Sequence, residues 1–143
     1  MRYALFLLIF TLWPTPSKAQ QTIQYAAPHS FREKEITAAY KQEINSDDPF
    51  IIAKTDLNDD FINEYVLRPA NCTKGQICSH GIMVYMDEKP LLIGEFDAHK
   101  IAIAFKKDYG VKRLIVYNQA HNDFSSKLAR WDPQLFQYKL PKN

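Results

Sequence analysis

The segment from Lys100 to Gln119, KIAIAFKKDYGVKRLIVYNQ, contains two apolar runs separated by a short polar turn. In the first run Ile101, Ile103 and Phe105 alternate with small residues, which is the two-residue period of a β-strand. The tripeptide DYG turns the chain into the second run, which is the most continuously apolar in the sequence and predicts a central strand. The segment therefore predicts an antiparallel pair of strands.

Short runs of the same kind on both sides extend this pair into a sheet. They are FIIAK, EYVLR, GIMVYM and PLLIGEF before the segment, and LFQYKL after it, reached through SKLARWD. Turn-forming residues separate most neighbouring runs, which is typical of strands joined by hairpins. We expect an antiparallel meander of about six or seven strands.

One helix is predicted N-terminal to the strands, in the stretch SFREKEITAAYKQEIN. Ser30 and Glu33 have the spacing of a capping box at the start of a helix. Ile36, Tyr40 and Ile44 recur every four residues and form one apolar stripe, which must pack on another element. The predicted fold class is therefore α+β, with one N-terminal amphipathic helix packed on the meander.

The first nineteen residues have the pattern of a secretory signal peptide. Arg2 precedes an apolar run of eleven residues, too short to span a bilayer as a helix, and Ser17 and Ala19 are the small residues of a cleavage site. We expect cleavage after Ala19, a flexible leader over residues 20–29 and a single domain over residues 30–143. No stable membrane insertion is expected after cleavage.

The charge of the chain argues against a nucleic-acid partner. The whole sequence has 18 Lys and Arg against 16 Asp and Glu. Removal of residues 1–19 takes away Arg2 and Lys18 but no acid, so 18 minus 2 leaves 16 basic residues against 16 acidic ones. A near-neutral protein has no net field to attract nucleic acid or anionic lipid.

Both cysteines of the sequence, Cys72 and Cys78, lie beyond the predicted signal peptide. Export to an oxidising space favours a disulfide between them, and the residues TKGQI form the loop that it would close. A metal site would need more soft ligands, and a redox motif would need a two-residue gap. We expect a periplasmic or secreted protein with one small disulfide loop.

A run of acidic and amide residues between two predicted strands could hold a cation. Asp56, Asn58, Asp60 and Glu64 occupy positions 1, 3, 5 and 9 of the segment DLNDDFINE, and such oxygen ligands suit Ca²⁺. The segment is not an EF-hand, because positions 6 and 12 lack the required Gly and Glu. The alternative is an Asx-type turn, in which the same oxygens accept bonds from the local backbone. No other cofactor is expected.

The same segment resembles the DLNGDGxxE loop of FG-GAP/VCBS-type repeats, which occurs in many small exported bacterial proteins of unassigned activity. In such proteins a tight loop with Cys and Gly often follows, as Cys72, Gly75 and Cys78 do here. The resemblance covers about thirty residues and implies acids that bind Ca²⁺ or cap the turn. This chain has Asp59 and Phe61 where the pattern has glycine.

The sequence offers few signs of an active site. None of its four histidines has a metal-binding spacing, and Ser79 and His80 are adjacent in a strand, so they point to opposite faces. Glu64, Glu95 and Asp97 could converge as a carboxylate pair of the kind that glycosidases use. We expect no catalysis, with a small secreted hydrolase as an alternative.

The expected function is that of an exported, non-catalytic binding or accessory protein of the cell envelope, which recognises a protein or a glycan. The chain is rich in aromatic residues, and Tyr and Trp give large contact areas at low entropy cost. The candidate binding residues are Tyr85, Tyr109, Tyr117 and Trp131. A second alternative is an inhibitor or immunity protein that blocks a lytic enzyme with the Cys72–Cys78 loop.

Overall fold

The structure is a computed structural model that describes residues 20–119 and 125–142. The predicted signal peptide lies outside the described residues. Within them the chain forms one helix, α1 (Phe31–Glu43), and nine strands. The strands are Gln20–Thr22 (β1), Phe50–Thr55 (β2), Glu64–Pro69 (β3), Cys78–Met86 (β4), Lys89–Ala98 (β5), Lys100–Asp108 (β6), Val111–Tyr117 (β7), Lys127–Asp132 (β8) and Gln137–Lys139 (β9).

The strands form two antiparallel sheets instead of one meander. One sheet has the order β2-β3-β4-β5 and the other the order β1-β6-β7-β8-β9. The segment KIAIAFKKDYGVKRLIVYNQ forms β6 and β7, which pair in an antiparallel register with Ile101 opposite Val116. The prediction of an antiparallel pair there is confirmed.

The predicted α+β class is wrong: the described chain is mostly β-structure in two sheets, with one short helix. The change of sheet occurs at His99, the single residue between β5 and β6. Ala98 pairs with Cys78 in the four-stranded sheet, and Lys100 pairs with Tyr117 in the five-stranded sheet. The sequence carries no turn signal at this corner, because Ala98, His99 and Lys100 include no Gly, Pro, Asn or Asp.

The main core lies between the two sheets. Val66, Ile82 and Phe96 come from the four-stranded sheet and pack with Ile103 and Leu114 of the other. Burying such side chains contributes about 1.5–3 kcal/mol each, so this interface holds the two sheets together. It explains why the strands need two layers: each sheet has an apolar face that the single helix could not cover.

The predicted helix is present, and it covers the outer face of the four-stranded sheet. The Ser30 side chain accepts a bond from the Glu33 N–H, and the Glu33 side chain accepts one from the Ser30 N–H, which confirms the capping box. Ile36 and Tyr40 of the predicted stripe are fully buried against β2, β3 and β4. The molecule therefore has three layers: helix, four-stranded sheet and five-stranded sheet.

Residues 20–29 are not the flexible leader that their polar composition predicts. Gln20–Thr22 forms β1, which pairs with β6 so that Gln20 lies opposite Ala104. Ala26 then exchanges two backbone hydrogen bonds with Ile52 of β2, at 2.9 and 2.8 Å. Backbone hydrogen bonds hold this segment in place. Such bonds do not require apolar side chains, so a hydrophobic pattern in the sequence does not predict them.

The Cys72–Cys78 disulfide is present, with a Cα–Cα distance of 6.2 Å, as predicted. A disulfide fits a compartment outside the reducing cytoplasm. Among the helices in residues 20–119 and 125–142, none is long and apolar enough to cross a membrane.

The contact between Tyr40 and Gly81 gives a direct test of how the helix is held. A Cβ atom at residue 81 would fall 2.5 Å from Tyr40 Cζ, so the tyrosine ring lies flat on the strand where only glycine leaves room. We expect Gly81→Ala to lower the free energy of unfolding by about 1–3 kcal/mol, as overpacking does. Chemical denaturation measures it.

The control is the same substitution in a Tyr40→Leu background. Leucine presents a smaller and more adaptable side chain at this contact, so the added methyl group should cost at least about 1 kcal/mol less than in the wild type. Equal costs in the two backgrounds would contradict this packing.

Candidate functional site

The acidic loop, residues 56–63 between β2 and β3, uses its side-chain oxygens to fold its own backbone. The Asp56 carboxylate accepts hydrogen bonds from the N–H groups of Asp60 at 3.3 Å and Phe61 at 2.9 Å. Asn58 Oδ1 also accepts from the Asp60 N–H, at 3.1 Å, and Asp60 Oδ1 accepts from the Ile62 N–H, at 2.7 Å. These are the bonds of Asx-type turns.

Glu64 is buried at the base of this loop. Its Oε2 accepts a hydrogen bond from the Leu57 N–H at 2.7 Å. Burial raises the pKa of Glu64, and the bond from Leu57 offsets only part of that effect. Because the folded pKa lies above the unfolded one, the stability that this group contributes decreases as pH rises through the interval between them.

Leu57 makes the acidic loop part of the core between the sheets. Its side chain is fully buried among residues of both sheets. Its carbonyl oxygen accepts a bond from the Lys112 N–H at 2.7 Å, and Lys112 Nζ donates to the Asp56 carbonyl oxygen at 2.8 Å. Since Lys112 belongs to β7, the loop joins the four-stranded sheet to the five-stranded one.

Two residues of the acidic loop adopt the left-handed conformation without being glycine. Asp59 has φ 60° and Phe61 has φ 67°, and these are the two positions where the FG-GAP/VCBS-type pattern has glycine. Lys107 and Lys112 both form ion pairs with Asp59, which helps to hold it there. Phe61 is 95% exposed, so little packing compensates its backbone strain of about 1–2 kcal/mol.

The four predicted calcium ligands do not fit a shared ion in this structure. Asp56, Asn58 and Asp60 direct oxygens at backbone N–H groups of the loop, and Glu64 bonds the buried Leu57 N–H. Across the described ranges no three His, Cys, Asp or Glu side chains are placed to hold a metal. The calcium site stays a prediction, and a calcium titration of the melting temperature tests it.

An aromatic cleft of about 380 Å³ opens beside the acidic loop, at one end of the space between the sheets. Asn58, Asp60 and Glu64 supply polar groups on one side of it. The aromatic side chains that line the cleft are Trp131, Phe136 and Tyr138. Its volume lies at the small end of the range for ligand pockets.

The predicted binding residues fall into three places. Trp131 lines the aromatic cleft, and Tyr109, which is 79% exposed, shares a neighbouring groove with it. Tyr85 borders the cleft with its backbone, but its ring lies in the helix layer under the Arg32 guanidinium, with Cζ 4.3 Å from the ring centroid. Tyr117 lies elsewhere and is buried, and its hydroxyl donates to Gln20 Oε1 at 2.7 Å. Tyr109 and Trp131 are therefore the surface candidates, whereas Tyr85 packs on the helix and Tyr117 is a structural residue.

Two further aromatic residues, Phe136 and Tyr138, shape the cleft. Trp131 packs edge-on against Phe136, with ring centroids 4.9 Å apart, and against Tyr138 at 5.4 Å. The Tyr138 hydroxyl donates to the Lys112 carbonyl oxygen at 2.7 Å, which anchors the β8–β9 hairpin to β7. Phe136 lies in the hairpin turn with φ 51° and is partly exposed. Sequence reasoning missed Phe136, which it showed only as a member of a strand pattern.

Of the three carboxylates predicted to converge, Glu64 lies apart from Glu95 and Asp97, which are two residues apart on β5 and share one face of it. Glu64 faces the space between the sheets, where it bonds Leu57, whereas Glu95 faces the helix layer. There Glu95 Oε1 accepts a bond from the Ser79 hydroxyl at 2.8 Å and lies 3.4 Å from the Tyr40 hydroxyl. Glu64 and Glu95 are on opposite faces of the four-stranded sheet, so they cannot act on one bond.

Comparison of the chain with protein-family models, with curated proteins and with solved structures finds no match in any of the three. The resemblance to FG-GAP/VCBS-type loops therefore stays a prediction from the acidic loop itself. What the protein does has to be argued from its own residues.

A calcium titration separates the two interpretations of the acidic loop. If its oxygens only shape the turn, we expect the melting temperature to rise by less than about 2 °C at millimolar Ca²⁺. A bound ion would add about 2.7 kcal/mol at a hundredfold excess over Kd, or about 10 °C for a domain of this size. Asp56→Ala should destabilise the fold by about 1–2 kcal/mol equally with and without Ca²⁺, because it removes turn bonds.

Mg²⁺ at the same concentration controls for ionic strength. A large rise in melting temperature with Ca²⁺ alone, abolished by Asp56→Ala, would show that the ion belongs to the native state.

Proposed function

We propose that this chain is an exported, non-catalytic binding protein of the cell envelope and that it recognises a neutral glycan in the aromatic cleft. The periplasm or the exterior is the proposed location, since the signal-peptide pattern and the disulfide both favour export. The observation that carries the proposal is the combination of aromatic walls with carboxylate and amide oxygens in one concave site.

The chemistry of the cleft favours a sugar over other ligands. Sugar rings present apolar C–H faces that pack on aromatic side chains such as Trp131. Their hydroxyl groups can donate to the Asp60 carboxylate, since each of its oxygens accepts one bond within the loop and has room for a second. The carboxyl groups of Asp60 and Glu64 disfavour an anionic ligand there. A concave site of this size also suits a small ligand better than the broad, flat surface of a protein partner.

The inhibitor alternative has less support. An inhibitory loop should stand clear of its domain; between Cys72 and Cys78 four of the five residues are exposed, but Gly75 at the turn is buried. Arg68 Nη1 donates to the Cys72 carbonyl oxygen at 3.3 Å, which draws the loop onto β3. The hydrolase alternative has less support too, because Glu64 and Glu95 face opposite ways.

Tryptophan fluorescence tests the glycan proposal. Trp131 is the only tryptophan in protein that begins at Gln20, since Trp13 lies in the predicted signal peptide. We expect its emission to change saturably with at least one of a panel of neutral oligosaccharides of glucose, mannose or N-acetylglucosamine. Phe136→Gly should weaken that binding about tenfold, because it removes one aromatic wall.

This substitution has a matched control in Phe61→Gly. Both residues are exposed phenylalanines with positive φ, so glycine relieves backbone strain at each and should keep the fold intact. Only Phe136 lines the cleft, so Phe61→Gly should leave the affinity unchanged. No saturable response to any sugar up to about 10 mM, or equal loss in both variants, would refute the proposal.

A further inference from the structure

A second cleft, of about 620 Å³, opens between β1, the disulfide loop and the corner where β5 meets β6. Basic side chains line it: Arg68 from β3, Lys74 from the disulfide loop and Lys100 from β6, together with His80 and His99. Among the residues that the structure describes, no Asp or Glu lines this cleft. We call it the cationic cleft. Its charge contrasts with the near-neutral balance of the chain as a whole.

Arg68 is the centre of this cleft. Its guanidinium lies over the ring of Tyr25, with Cζ 4.8 Å from the ring centroid, and Nη1 donates to the Cys72 carbonyl oxygen at 3.3 Å. Within residues 20–119 and 125–142, Arg68 forms no ion pair with a carboxylate, and its buried Nε has no hydrogen-bond acceptor. The Tyr25 hydroxyl is also buried without a partner there. Unmet donors of this kind are costly in a folded protein.

His80 adds no positive charge to the site at neutral pH. His80 is fully buried, its Nδ1 lies 2.9 Å from the Cys78 carbonyl oxygen, and its ring packs edge-on against Tyr25. Burial lowers the pKa of His80 to about 4, and the nearby positive charge of Arg68 acts in the same direction. At pH 7 His80 is therefore neutral, while Arg68, Lys74 and Lys100 are positively charged groups of the cleft.

We propose that the cationic cleft binds an oxyanion, a phosphate or carboxylate group of a small ligand, with Arg68 as the principal contact and Lys74 and Lys100 as flanking charges. A planar guanidinium held by stacking on Tyr25 is prepared to bond two oxygens of such a group. The disulfide holds the loop that carries Lys74 over the cleft. This site is separate from the aromatic cleft, so either proposal can fail without the other.

The test is a titration of the ¹⁵N-labelled protein with sodium phosphate and with sodium citrate, followed by NMR against sodium chloride of equal ionic strength. We expect saturable shifts of the Arg68 side-chain Nε–H and of the Lys74 and Gly75 amides, with a Kd in about the millimolar range. Lys74→Gln should weaken binding about fivefold, because it removes one flanking charge from an exposed loop.

The matched control is Lys89→Gln, which removes the same charge from an exposed position that does not line the cleft. It should leave the affinity unchanged, and both variants should melt within about 2 °C of the wild type, as exposed substitutions do. Chemical shifts that do not saturate by about 50 mM, or an equal loss of affinity in both variants, would show that the effect is general electrostatic screening and would overturn the proposal.

Discussion

The architecture depends on the burial of Leu57. This residue lies in a loop of charged and amide side chains, yet it is fully buried between the sheets. Its N–H is bonded by Glu64 and its carbonyl oxygen by Lys112, so both polar groups of a buried peptide are satisfied. The surrounding acids hold the turn that brings Leu57 inward. The acidic loop is therefore a structural connection between two sheets, and one wall of the aromatic cleft follows from it.

The space between the sheets ends in two clefts of opposite character. Near one end of β4, Val84 lines the aromatic cleft beside the acidic loop, and near the other end His80 lines the cationic cleft. Different loops shape the two: the Asx turns shape the first, and the disulfide loop shapes the second. A rigid β-framework with chemically distinct loops at its ends is a common basis for recognition.

The sequence predicted the features that local chemistry decides. The helix, its capping box and the disulfide could each be predicted, because spacing and residue type define them. The features that depend on tertiary strand pairing could not be predicted, because β1 is polar and the change of sheet at His99 has no turn signal. Phe105 shows the same limit, since an irregularity between Ile103 and Lys107 leaves this apolar residue 55% exposed. The aromatic cleft gathers residues from β3, β4 and the β8–β9 hairpin, which only the assembled sheets bring together.

Native-state hydrogen exchange at the Leu57 amide tests the structural role of the acidic loop most directly. If Leu57 is part of the core, its amide should exchange only on global unfolding, at the rate of core amides such as Val66 and Leu114. The Lys112 amide, bonded to the Leu57 carbonyl oxygen, should be protected to the same degree. Exchange of the Leu57 amide as fast as that of Asn58, with Val66 still protected, would show that the loop opens independently and does not fasten the two sheets.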